Sequence, residues 1–162
     1  MGWNASGFIV AGEFDPGALP DIRRRTGERA EFPTGSSAVA GLGVARLGGW
    51  TVVADPDLDV VFDDAALEAI PAPRVLTFFA HSVSDTYGFA WFADGRLRRR
   101  LITAESEVVE EAGAALPEES HRGEFVDEDF VFDLIERLTG LGWDAVAEAE
   151  YEIWAARPGE GA

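Results

Sequence analysis

The segment from Val75 to Thr103 constrains the fold more than any other part of the chain. VLTFFAHS leads through Ser84-Asp85 into TYGFAWFA, and Asp94-Gly95 turns the chain directly into RLRRRLIT. Strand formers packed this densely around a two-residue Asp-Gly signal predict a three-strand antiparallel meander, because the favoured hairpin turn needs positive φ at both central positions. Counting outward from Asp94-Gly95 predicts the register: Ala93 with Arg96, Phe92 with Leu97, Trp91 with Arg98, Ala90 with Arg99, Phe89 with Arg100 and Tyr87 with Ile102. One face then carries Tyr87, Phe89 and Trp91 against Arg98 and Arg100. The other carries Gly88, Ala90 and Phe92 against Leu97, Arg99 and Leu101, and its small residues leave room for a helix to pack closely.

Around this meander the remaining signals are shorter. Gly48-Gly49, between AVAGLGVARL and WTVVAD, predicts a second hairpin, and Gly7 to Gly12 reads as a strand. Asp15-Pro16 supplies an N-cap and a residue suited to the first helical position, which predicts a helix over about 16–26 with Arg23, Arg24 and Arg25 in its last turn before Gly27. Residues 28–37 read as a loop, AALEAI as a short helix capped by Asp63 or Asp64 and ended by Pro71, and 105–126 as a long acidic loop. From Asp127 onward Phe130, Val131, Leu134, Ile135 and Leu138 recur at helical spacing until Gly140. Glu148, Glu150 and Glu152 then alternate with Ala149, Tyr151 and Ile153, which predicts a half-buried strand, and residues 158–162 read as a loose tail. The sum is one α+β domain over residues 1–162: a mainly antiparallel sheet of about six or seven strands built from hairpins, with two to three helices packed on one face.

A 162-residue chain with 47% hydrophobic residues has enough material for a single core. The order of motifs also resembles something known. DPGALPDIRRRTG, then GGWTVVADP, YGFAWFADGRL, GAALPEE and a late ERLTG before a terminal strand resembles a family of uncharacterised domains common in actinobacteria, over nearly the whole chain. That resemblance implies an α+β fold with no assigned activity and no known catalytic residues.

Composition removes whole classes of chemistry. The chain has no cysteine, so disulfides, thiolate nucleophiles, zinc ribbons and iron–sulfur clusters are excluded. All 13 cationic residues are arginines, which excludes a Schiff-base lysine and a Walker phosphate loop; a GC-rich bacterial genome accounts for the absent lysines. The opening MGWNASGFIVAGEFD has no basic leader, and no run approaches the length of a membrane span, which predicts a cytoplasmic protein without membrane contact.

Candidate sites are few. Asp55, Asp57 and Asp59 have the spacing that opens a calcium loop, but Val60 stands where glycine is needed and Ala66 where the bidentate glutamate belongs, so the segment reads as an acidic turn and no metal site is expected. His81, Ser82, Ser84 and Asp85 crowd a strand end without a nucleophile elbow, and His121 is the only other histidine. A hydrogen-bonding cluster explains them better than a hydrolase or zinc site. GLGVARLGG departs from the dinucleotide pattern at Arg46, so no nucleotide is expected there, and no cofactor is implied anywhere.

Two surfaces remain. Tyr87, Phe89, Trp91, Arg98 and Arg100 on one face of the meander could hold a planar or anionic ligand, or the carboxylates of a partner. Residues 101–162 carry 17 acidic and 3 basic side chains, a net charge of −14 out of −17, and the segment with Glu118, Glu119, Glu124, Asp127, Glu128 and Asp129 is the candidate partner-facing region. Such a field repels nucleic acid and attracts a basic surface. The leading expectation is therefore a non-catalytic protein-interaction module, one that neutralises a basic partner such as a toxin. A small-molecule-binding domain or enzyme using the Arg and aromatic face, and a nucleic-acid mimic, are the alternatives, and solubility alone also accounts for the charge.

Overall fold

The turn residues singled out in the sequence do close hairpins. The computed structural model describes residues 3–19, 23–33, 41–123 and 126–156. Gly48 and Gly49 both take positive φ (53° and 84°) between β3 (Leu42–Leu47) and β4 (Trp50–Ala54). Asp94 and Gly95 do the same (53° and 75°) between β6 (Thr86–Ala93) and β7 (Arg96–Ala104). A third such turn, at Glu105 and Ser106, joins β7 to β8 (Glu107–Ala112). The other strands are β1 (Asn4–Ala11), β2 (Arg23–Ala30), β5 (Arg74–His81) and β9 (Tyr151–Ala156).

All nine form one sheet in the order β2-β9-β3-β4-β1-β5-β6-β7-β8, with each neighbouring pair antiparallel. The expected six or seven strands were those with apolar patterning. The two extra strands are the sheet's edges. β2 occupies part of the segment expected as a helix over 16–26, and among the described residues a 3-10 turn, Pro16–Ala18, follows the Asp15 cap. Pairing with β9 holds Arg23 to Arg25 extended, and no helical last turn exists for them to cap. β8 likewise replaces part of the expected 105–126 loop, and a 3-10 turn at Pro117–His121 follows it. The expected loop at 34–37, the start of the AVAGLG strand at 38–40 and the 158–162 tail lie outside the described residues.

Three helices are present among the described residues. α1 (Asp64–Glu68) is capped by the Asp63 carboxylate, which accepts from the Ala66 N–H at 3.1 Å. α2 (Glu128–Thr139) is capped by Asp127, whose carboxylate accepts from the Phe130 N–H, and Gly140 ends it with φ of 81°. α3 (Trp143–Glu148) takes Glu148 out of the expected final strand.

The helices do not share one face. α2 and α3 cover the face that carries Ile9, Leu76, Phe78, Tyr87, Phe89 and Leu101, where Phe130, Val131, Leu134, Ile135 and Val146 complete the core. α1, with Phe14, Leu19 and Val60, covers the opposite face over Phe8, Val10, Val53, Ala90 and Phe92. Burial of this apolar surface on both sides, at roughly 25 cal/mol per Å², is the main force holding the layers together. The space at Gly88 is filled from the neighbouring strand rather than by a helix: a Cβ there would stand 2.7 Å from the Phe79 ring.

Candidate functional site

A bulge decides what the meander presents. Ala93 pairs with Arg96 and Phe92 with Leu97 as counted from the turn, but Trp91 then pairs with Arg99, Ala90 with Arg100, Phe89 with Leu101 and Tyr87 with Thr103. Arg98 is the extra residue. A one-residue shift moves every later side chain to the other face, so the expected pairing of Trp91 with Arg98 and of Phe89 with Arg100 does not occur. Tyr87 and Phe89 are buried under α2, and Trp91 packs at the margin of the same core. Arg98 is exposed, while Arg100 lies on the α1 side, where it forms a forked ion pair with Asp64 and a second contact to Glu110 at 3.3 Å. The five residues expected to form one binding face are thus divided between core, surface and the opposite side of the sheet. Cation–π contacts occur elsewhere, with Arg25 over Trp154 at 5.4 Å and Arg74 over Trp50 at 5.1 Å.

The same bulge drives Arg99 inward. It is 1% exposed, and its Nε and Nη2 donate to Glu119 Oε2 and Oε1 at 2.9 and 2.8 Å. Nη1 donates to Glu111 at 2.8 Å and to the Gly113 carbonyl at 2.9 Å. Hydrogen bonds to Glu119 lead the effects that raise the guanidinium pKa above its ordinary value, outweighing the cost of burial. Glu119, expected to face a partner, is instead 5% exposed, and it also accepts the Leu116 N–H at 2.6 Å. The burial of this one carboxylate ties the 3-10 turn at Pro117–His121 to the sheet.

The other acidic candidates are spread over several tasks. Glu118 is half-buried, and its carbonyl faces His121 Nδ1 at 2.9 Å. Asp127, the α2 cap, and Asp129, in the first turn of that helix, are exposed. Glu128 accepts from Ser82 Oγ at 2.8 Å and from the Trp3 N–H at 3.2 Å, so Ser82 belongs to a strand-end hydrogen-bonding cluster, as its sequence context suggests. Glu124 lies outside the described residues. His81 leaves Nε2 buried without a hydrogen-bond partner, and burial lowers its pKa. Asp55 accepts from the Asp59, Val60 and Val61 N–H groups at 2.9, 2.7 and 3.0 Å, and burial raises its pKa against their pull. It organises the acidic turn from within. No group of three or more His, Asp or Glu side chains suited to a metal ion occurs among the described residues, and none of their helices is long and apolar enough to cross a membrane.

What stands open is the β8 edge. β8 pairs with β7 on one side only and ends the strand order. Each residue from Glu107 to Glu111 is exposed, with Val108 at 46% and Val109 at 61%. The register shifts opposite Ile102 and Thr103, leaving Val109 as the unpaired extra residue. On its inner side the strand is fixed: Glu111 answers Arg99, Glu110 answers Arg100, and the Gly113 carbonyl accepts from Arg99. Glu105 and Glu107 have no ion-pair partner among the described residues. No sequence signal marked this strand, because EVVEEA has neither apolar alternation nor glycine in its turn.

Residues 32–129, more than half of the chain, match a family of unknown function, DUF6928. The chain belongs to this family. The DUF6928 match runs from ahead of β3 to the first turn of α2, and so contains β8, Arg99 and Glu119. No curated protein and no solved structure matches the chain.

Proposed function

We propose that this DUF6928 protein is a non-catalytic protein-interaction module that takes up an extended, basic segment of a partner along β8. The observation that carries the reading is the edge itself: a six-residue strand with its outer backbone groups unpaired by any other strand, and with two valines exposed among glutamates. Strand addition supplies affinity through main-chain hydrogen bonds, while side chains alternating above and below the sheet supply selectivity. Arg99 and Arg100 hold β8 from behind, so little ordering cost is left at binding. Free carboxylates at Glu105 and Glu107, within the strongly acidic last third of the chain, favour arginine or lysine beside the incoming strand and repel nucleic acid. Neutralisation of a basic toxin is the sharpest biological form of this reading, and its setting in the cytoplasm belongs to the same proposal.

A displayed library of extended peptides of varied charge tests it. Basic, strand-forming peptides are expected to be enriched, their binding to weaken as salt rises, and the amides of 107–112 to gain hydrogen-exchange protection. Val109→Pro, which takes one N–H out of β8 and stiffens it, is expected to abolish capture. Enrichment of no basic sequence, or capture indifferent to substitutions in β8, would overturn the proposal.

A further inference from the structure

Far from β8 in the strand order, on the α1 side of the sheet, lies a cavity of about 380 Å³ between β2, β9, β3 and the segment around Phe14. Val44, Phe14 and Trp154 form its apolar wall. Three of its charges are already committed to structure. Arg25 Nε lies 3.1 Å from Glu152 while its guanidinium covers Trp154, and the Asp15 carboxylate accepts the Gly17 N–H at 2.8 Å.

Two charges are not committed. Glu13 and Arg46 line this cavity and also the adjoining one of about 270 Å³ that runs to the Gly48-Gly49 turn. Neither has a hydrogen-bond or ion-pair partner among the described residues, and they do not pair with each other. A carboxylate and a guanidinium thus border the same space without forming an ion pair with each other. One small molecule with a carboxylate and an ammonium group satisfies both: the guanidinium takes the carboxylate in forked geometry, and Glu13 takes the ammonium.

We propose that this groove binds a free α-amino acid with an aromatic or large apolar side chain, held between Arg46 and Glu13 with its side chain against Phe14, Val44 and Trp154. The site is separate from β8 and stands whether or not that edge takes a partner. Glu13, Arg25, Glu152 and Trp154 lie outside the residues matched to DUF6928, so the groove is built largely from parts of the chain beyond that match.

Calorimetric titration with L-phenylalanine, phenylpropionate and phenethylamine tests the inference, because the second probe lacks the ammonium and the third the carboxylate. L-phenylalanine is expected to bind at millimolar concentration or below, and each half-analogue to bind about tenfold or more weakly. Arg46→Ala and Glu13→Ala are expected to weaken L-phenylalanine by a similar factor without lowering the melting temperature, since both side chains are exposed. The charge-exchanged double variant Glu13→Arg/Arg46→Glu is expected to recover part of the loss. The proposal is overturned if L-phenylalanine gives no heat at millimolar concentration, if the half-analogues bind as well as the amino acid, or if both single variants bind it unchanged.

Discussion

Replacing Arg99 by Met keeps most of the side-chain volume and removes the charge from the most buried ion pair among the described residues. The structure sets the scale. Exposed pairs are worth 0 to about 1 kcal/mol, whereas breaking a buried pair costs about 3–5 kcal/mol because the surviving charge is stranded. With Arg99 at 1% and Glu119 at 5% exposure, the second case applies. Arg99→Met leaves the Glu119 carboxylate with only the Leu116 N–H, and leaves the Gly113 carbonyl without its guanidinium partner. Urea unfolding is expected to show a loss of about 3–5 kcal/mol with an unchanged m-value, and the melting temperature to fall by roughly 6–20 °C for a chain of this length. Adding Glu119→Gln removes the stranded charge while its amide oxygen still accepts the Leu116 N–H, so the double variant is expected to be more stable than Arg99→Met alone. A loss below about 1 kcal/mol in Arg99→Met, or a double variant no better than the single one, would refute the argument from burial.

Three further outcomes are expected. Gly95→Val should cost more than about 1 kcal/mol in chemical denaturation, because a β-branched residue resists the φ of 75° and its Cβ would press on the Glu68 carbonyl at 3.3 Å. Asp55→Ala strips three backbone N–H groups of their acceptor at a fully buried position and should cost about 3 kcal/mol or more by the same assay. For His81 the folded-state pKa lies below the ordinary 6.5, so the unfolded chain takes up the proton first as pH falls. Its contribution is therefore full above pH 6.5 and declines below it. The stability difference between the wild type and His81→Asn, followed by urea midpoint, should change across that range, and a flat difference would remove His81 as its source.

The turns were the legible part of this sequence. Asp94-Gly95 and Gly48-Gly49 announce their hairpins because few residues tolerate positive φ, and α2 announces itself by an acidic first turn, apolar spacing and Gly140. The two strands without a signal are the two edges, since RRRTGERA and EVVEEA are charged strands with one flank unpaired and lack the alternation that a core imposes. The bulge at Arg98 was equally silent. Three consecutive arginines give no indication of which is the extra residue, yet that choice sends Arg99 into the core and Arg100 to the α1 side. Glu119 was legible as an acid but not as a buried one, because its partner lies 20 residues away across that same bulge. The groove at Arg46 was hidden for a different reason: it joins β2, β3 and β9 with the segment around Phe14, and only the order of strands brings those parts together.

That order also imposes a schedule on assembly. β1 lies near the middle of the sheet between β4 and β5, so local hairpins can gather around it as soon as they are made. β2 cannot join them, because its strand neighbour is β9, and Thr26 finds the Ile153 carbonyl only across 127 residues of chain. Closing so long a loop is slow relative to hairpin formation. The β3 flank of a growing chain therefore waits without its neighbour until β9 arrives, docks and brings β2 with it. A chain interrupted before Tyr151 would lose two strands at once, and the Arg25, Glu152 and Trp154 side of the groove would never form.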